Sequence, residues 1–310
     1  MILGTKSNIE IEKYLSNKKT LIDKKLESIF EDKNLFANPS ELWDAVKYSL
    51  LNGGKRIRGI LCISVFESLL TEKENPKLLE DCLIVACSIE MIHSMSLIHD
   101  DLPSMDNDDL RRGIPTCHKA HGEAIAILAG DALLTLPFYL ISKNTKHISA
   151  QQKLDLISEL SKAFTFGLVP GQIYDINPTN KKYNIKDIEN TSRLKTAELI
   201  KSSVVCGGIV SGKPDDGLLN ILNSFGLSLG IAFQIIDDIL DITSDSKTLG
   251  KTAGKDKKQN KITYPSLSGI KEAKNYAKVL TENANKELRK LVQDNRTLTS
   301  IADFIINRIN

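Results

Sequence analysis

The chain has 310 residues, 41% hydrophobic and 26% charged, and its 41 Lys and Arg nearly balance its 39 Asp and Glu, for a formal net charge of +2. That balance gives no electrostatic case for a nucleic-acid or membrane partner, and the length is enough to bury a large core. The five cysteines, Cys62, Cys82, Cys87, Cys117 and Cys206, form no CxxC pair and no zinc spacing, and read as reduced thiols.

Helical periodicity runs along the chain. The first twenty residues hold no apolar stretch of signal-peptide length, so a cytoplasmic location is expected, or a plastid if a transit segment has been removed. "ELWDAVKYSLL" puts Leu42, Ala45, Val46 and Leu50 on one stripe, and Gly53-Gly54 predicts its end. "GILCISVFESLL" is apolar nearly all round, which predicts a helix inside a bundle. "LLEDCLIVACSIEMIHSMSLIHDD" predicts a helix of about six turns. "GEAIAILAGDALLTLPFYLIS", "LDLISELSKAFTFGL", "KTAELIKSSVVCGGIVSG", with Lys195-Thr196 at its opening, and "LLNILNSFGLSLGIAFQIIDDILDIT" continue the pattern. No run alternates as a strand. No uninterrupted apolar run approaches the roughly 18 residues of a membrane span; the longest candidate is broken by Asp131. The polar breaks do not resemble interdomain linkers, so one all-α domain over residues 1–310 is expected.

Against this apolar background two acidic clusters stand out. "SLIHDDLPSMDNDDLRRG" holds five aspartates within ten residues, beginning at Asp100, Asp101 and Asp106. "FQIIDDILD", with Asp237, Asp238 and Asp241, begins its acids 137 residues after Asp100. A spacing of four places Asp237 and Asp241 on one helix face. Asp100 and Asp106 are six apart, and Pro103 predicts a helix break between them. One such run alone reads as a solvated face or a helix cap. Two, each after an apolar helix, point to oxygen ligands for a hard cation such as Mg²⁺, which takes its remaining ligands from water and phosphate. Basic residues complete the picture: Lys55, Arg56 and Arg58 after the diglycine, Arg111 and Arg112 after the first cluster, Lys195, and Lys251 and Lys261 after the second. Guanidinium groups bind phosphate in bidentate fashion, and lysine acts as a point charge.

From "LLNGGKRIRG" through "DDLPSMDNDDLRRG" and "FQIIDDILD" to "QNKITYP", the sequence resembles the trans-isoprenyl diphosphate synthases. The resemblance implies an orthogonal helix bundle around a deep central cavity and a homodimer. It also implies that isopentenyl diphosphate condenses with an allylic diphosphate. By the same resemblance, Asp100 and Asp106 would bind two Mg²⁺ and Asp237 a third, supported by Asp101 and Asp241, with Asp238 in the same acidic motif. Arg111, Lys195, Thr196, Gln234 and Lys251 would hold the allylic diphosphate. Lys55, Arg58, His93 and Arg112 would hold that of isopentenyl diphosphate, and Lys261 would close over the site. Two residues depart from the family pattern: Gly59 where proline is usual, and Cys117 where asparagine is common.

Chain length is set, on this reading, by Met95 and Ser96, where an aromatic residue in the family tends to stop growth at fifteen carbons. Met and Ser favour geranylgeranyl diphosphate, with farnesyl diphosphate the alternative. The second acidic motif lacks the Asn/Asp, Ser/Thr, Glu pattern of a terpene cyclase. A non-catalytic partner subunit would have lost one aspartate motif, and both are present. Cys117, His118 and His121 fit no common zinc spacing. His99 reads as a local hydrogen-bonding residue as readily as a support for a metal ligand. Gln172 and Asp175 in "GQIYD" lie in a segment expected to be an irregular helix near the cavity. The lysine-rich run around Asp256 reads as a loop that orders on diphosphate binding.

Overall fold

The computed structural model describes residues 3–70, 75–176, 184–212, 215–243, 262–291 and 295–307. The chain opens with α1 (Leu3–Ile29), α2 (Lys33–Phe36), α3 (Ser40–Leu51), α4 (Ile57–Leu69) and α5 (Pro76–Asp100). A two-stranded ribbon follows, β1 (Leu110–Arg111) and β2 (Ile114–Pro115), paired antiparallel with Arg111 opposite Ile114. Then come α6 (Cys117–His121), α7 (Glu123–Asn144), α8 (Ala150–Ala163), a π-helical turn Phe164–Leu168 and α9 (Val169–Ile176). After α10 (Ile185–Ser192), a second π-helical turn, Arg193–Ala197, leads into α11 (Glu198–Val210). The described chain ends with α12 (Asp216–Thr243), α13 (Tyr264–Ser268), α14 (Ile270–Leu288) and α15 (Arg296–Ile306).

The expected helices are present, and the bundle is organised by those that are apolar all round. Every residue of α11 from Leu199 to Val210 is buried, as is α4 from Gly59 to Phe66. A helix with no polar face has to be surrounded, and α11 packs on α4, α5, α8 and α12. The next most buried helix, α5, starts at Pro76, whose missing N–H costs nothing at a first helical position. The Asn75 side chain accepts from the Leu78 amide, a cap worth about 1 kcal/mol. The main core takes residues from α1 through α15, and a smaller cluster of Ile235, Ile236, Ile239, Tyr264, Ala277 and neighbours packs around the end of α12. Two of the long helices, α5 and α12, thus carry their acidic ends out of an apolar interior.

The structure differs from the expectations in four places. The sequence shows no strand pattern, yet the two arginines after the first acidic cluster sit in the short ribbon. Its turn is made by Arg112 (φ 56°) and Gly113 (φ 81°), and two residues per strand are too few to show alternation. Lys195 and Thr196 do not open a helix; they lie inside the second π-helical turn. The irregularity expected at "GQIYD" falls one turn earlier, at Phe164–Leu168, and "GQIYD" itself is regular helix. Finally, α5, α7 and α12 are long and apolar enough to cross a membrane by length and composition, with hydropathies of 1.6, 1.9 and 1.5 over 18 residues. Counting uninterrupted runs missed them, because a helix averages its hydropathy over an occasional charge. In α5, 78% of that window is buried inside the molecule, against 44% in α7 and in α12.

Candidate functional site

The first acidic motif is shaped by the end of α5. The Asp101 amide donates to the Leu97 carbonyl and closes the last turn; Pro103 follows, and the chain doubles back. The Asp106 amide then bonds the Asp100 carbonyl at 2.8 Å, and the Asp108 amide the Asp101 carbonyl at 3.2 Å. The return folds the backbone of Asp106 and Asp108 onto the end of α5, where helical periodicity alone would not place it. Burial pushes the Asp100 carboxyl up to about 6; Lys195 opposes the shift, and Asp106 and Asp175 add to it. Buried Asp101 is taken by Arg111, whose Nε and Nη2 both reach its carboxylate, with Asp108 3.4 Å from Nη2. Burial alone would lower the Arg111 pKa; the bonds to Asp101 reverse that and hold it above its ordinary value.

The second motif lies on the last turns of α12. Asp238 is buried and accepts from Gln234 Nε2 at 2.7 Å. Gln234 Oε1 in turn accepts from the Thr196 hydroxyl at 2.7 Å. The neighbouring Lys195 Nζ lies 2.6 Å from Asp175 and 3.8 Å from Asp100. Contacts therefore run from Asp100 to Lys195 and, from the adjacent Thr196, through Gln234 to Asp238. They join two motifs that are 137 residues apart.

A cationic group flanks these contacts. Arg58 is desolvated, which lowers its pKa, while the charges of Glu90 and Asp237 act the other way. Its Nε is buried with no hydrogen-bond partner. His93 is held well below its ordinary pKa by burial, and then by Arg58, Arg112, Arg111 and Arg56, so its imidazole is neutral at pH 7. Arg112 Nη1 donates to the Gly53 carbonyl at 2.8 Å, and Lys55 is exposed. Lys251, Lys261 and Asp256 lie outside the described residues.

Sequence reasoning missed the support beneath these cations. Arg56, in the left-handed region at φ 52°, is 3% exposed; it donates to Asp23 of α1 and to the Leu50 carbonyl. Glu90, also 3% exposed, lies 3.8 Å from Arg56 and accepts from the Gly59 amide at 2.9 Å. The signal was an acid in the middle of the apolar α5 run. Gly59 acquires a role as well, since proline there would have no N–H to give.

Other candidates fall into place around the site. Asp175 pairs with Lys195, and both polar atoms of the Gln172 amide are buried without a partner. Met95 is buried, and the Ser96 hydroxyl donates to the His93 carbonyl. His99 turns towards α7, with Nε2 3.1 Å from the Ile127 carbonyl. His118 is buried against the Thr116 hydroxyl. A shallow groove, open to solvent, is lined by Tyr48, Ser94, Leu97, Asp101, Arg111 and Cys117 among others; its lining does not include Asp100.

Among the described residues, no three His, Cys, Asp or Glu side chains group closely enough to hold an ion alone. The acidic motifs nevertheless fit Mg²⁺, which binds one or two carboxylates and completes its shell with water and phosphate. Asp100, whose pKa is raised beside two further acids, is a carboxylate that a cation would stabilise.

Fold and site define a class: an all-α protein in which the turn holding Lys195 and Thr196 reaches one acidic helix end through Lys195 and the other through Thr196 and Gln234, beside a group of arginines. The chain belongs to the polyprenyl synthetase family, whose model matches residues 39–300. A geranylgeranyl diphosphate synthase of Cyanophora paradoxa is 40% identical over 308 residues, covering 98% of each chain. A farnesyl diphosphate synthase of Geobacillus stearothermophilus is also 40% identical, covering 97% of this chain and 99% of its own. Among solved structures, a geranyltransferase of Helicobacter pylori complexed with magnesium and isoprenyl diphosphate matches with a TM-score of 0.82 at 32% identity, covering 96% of both chains.

Proposed function

We propose that the chain is a short-chain prenyltransferase that joins isopentenyl diphosphate to an allylic diphosphate, with geranylgeranyl diphosphate as its product. The observation that carries this reading is the set of contacts from Asp100 to Lys195 and from the adjacent Thr196 through Gln234 to Asp238, which gives one polyanion both acidic motifs and a fixed cation. Asp100 and Asp106 would hold two Mg²⁺ and Asp237 a third, with Asp241 in support. Bound there, the metal would supply positive charge against the departing diphosphate. Lys195 and Arg111 add fixed cations on the allylic side, with Thr196 and Gln234 beside them. Asp101 acts by holding Arg111, and Asp238 by holding Gln234. Lys55, Arg58, His93 and Arg112 take the diphosphate of isopentenyl diphosphate. Neutral His93 can donate one hydrogen bond there without repelling the guanidiniums around it. Apolar walls on α5 keep water from the reacting carbons.

Ser96 and Met95 are smaller or softer than an aromatic ring, which favours the longer product; farnesyl diphosphate is the alternative. A single domain is supported by the main core, which draws on α1 through α15. A homodimer is supported by exposed Ile127, Leu128 and Tyr139 on α7 and by Leu154 on α8; half-buried, apolar α7 then serves an interface and not a membrane, and the cytoplasm is the proposed compartment. The test is turnover of farnesyl and isopentenyl diphosphates with Mg²⁺, with products separated by chromatography. A twenty-carbon product is expected, and Asp100→Ala and Asp237→Ala each lower turnover by about 100- to 1,000-fold. A product that stops at fifteen carbons gives the farnesyl reading, and an inactive parent chain gives a partner subunit.

A further inference from the structure

The turn that carries Lys195 is approached closely by glycines from three neighbouring segments. A Cβ added at Gly171 of α9 would overlap the Lys195 backbone nitrogen well inside van der Waals contact. One added at Gly230 of α12 would lie 2.5 Å from Ala197 Cα, and one at Gly167, in the facing π-helical turn, 2.7 Å from Glu198 Cβ. The ends of the turn are also fixed. Arg193 Nη1 donates to Glu198 at 2.7 Å, and buried Lys201 lies 3.0 Å from both Glu198 and Glu159. A π-helical turn is rare, occurs mostly as a single turn inside an α-helix, and is frequent at functional sites.

We propose that Gly167, Gly171 and Gly230 are positioning residues for Lys195. Their missing side chains let three segments close on the turn and hold the ammonium group between Asp100 and Asp175. This rests on the reading of Lys195 as a ligand of the allylic diphosphate. The glycines touch no substrate; they act only through the backbone of residues 193–197. An added methyl at Gly171 would push that backbone away by roughly 1 Å, the scale at which dispersion contacts are lost and at which misplaced groups cost about 100-fold in rate.

The test is a set of steady-state measurements on the full chain with Mg²⁺. Gly171→Ala is expected to raise the KM for farnesyl diphosphate and lower kcat/KM by up to about 100-fold, with the KM for isopentenyl diphosphate unchanged. Gly167→Ala meets Glu198 Cβ at 2.7 Å and no backbone atom closer than 3.4 Å, a milder overlap than that at Gly171, and is expected to shift the same constants less. Gly207→Ala is the control: its Cβ would clash with the Cys62 carbonyl on α4, further along α11. It is expected to lower the Tm and leave both KM values in place. In a Lys195→Ala background, Gly171→Ala should add no further loss. The proposal is overturned if Gly171→Ala multiplies the Lys195→Ala loss in full, or if Gly207→Ala shifts the same KM by as much. Should Gly171→Ala not fold, unchanged constants in Gly167→Ala overturn it equally. A Lys195→Ala chain that turns over normally would instead sink the reading of Lys195 itself.

Discussion

The two acidic motifs are built in opposite ways. At Asp100 the helix ends, and a loop carries Asp106 and Asp108 back onto the carbonyls of Asp100 and Asp101; the nearest guanidinium, Arg111, is locked to Asp101. At Asp237 the helix continues, and its periodicity alone aligns Asp237 with Asp241, while Asp238 is held by a neutral amide. A site assembled by a loop needs charge pairs inside the protein to hold its shape. One assembled on a helix gets its shape from the helix. The first motif should therefore depend on its own ion pairs for stability, and the second should not.

The same substitution made in both places tests this most strongly. Asp101→Asn leaves the partly buried Arg111 with Asp108 as its close carboxylate and should cost about 1–3 kcal/mol, read from urea unfolding. If the loss is under about 1 kcal/mol, in the range of an exposed pair, the loop does not rely on that pair. Asp100→Asn should act in the other direction on stability. The folded pKa of about 6 exceeds the ordinary 3.8, so this group favours folding in full below pH 3.8 and loses that contribution as pH rises through 6. Without metal at pH 8, the Asn variant should be more stable than the parent by up to about 3 kcal/mol, and the gap should close at pH 4. Equal stability at both values would mean the carboxylate is already compensated. The smallest effect is expected for Asp238→Asn, which keeps an oxygen for Gln234 and should lose about 1 kcal/mol or less. A loss as large as that of Asp101→Asn would erase the contrast between the motifs.

A substantial part of this was legible in the sequence. The long helices follow from their apolar spacing, and Pro103 marks where the first motif has to turn. What escaped depends on partners far along the chain. Arg56 adopts a left-handed backbone with Asp23, 33 residues earlier, holding its guanidinium. Lys195 and Thr196 look like the start of a helix because a π-helical turn has no composition of its own, and the close approach of α9 and α12 to it comes from residues distant in sequence. Glu90 reads as an oddity until the Gly59 amide and Arg56 are seen beside it. The ribbon at Arg111 is too short to show any alternation.

The unbroken length of α5 has one further consequence. Asp100 at its tip and Met95, Ile92 and Ile89 deeper along it belong to one rigid rod, with each residue about 1.5 Å further down. On the proposed reading, that rod is a ruler laid beside the growing tail, with its zero mark at the chemistry. Moving a bulky residue up or down by one turn would reset the length measured, by about 5.4 Å, without disturbing the end at which the bonds are made.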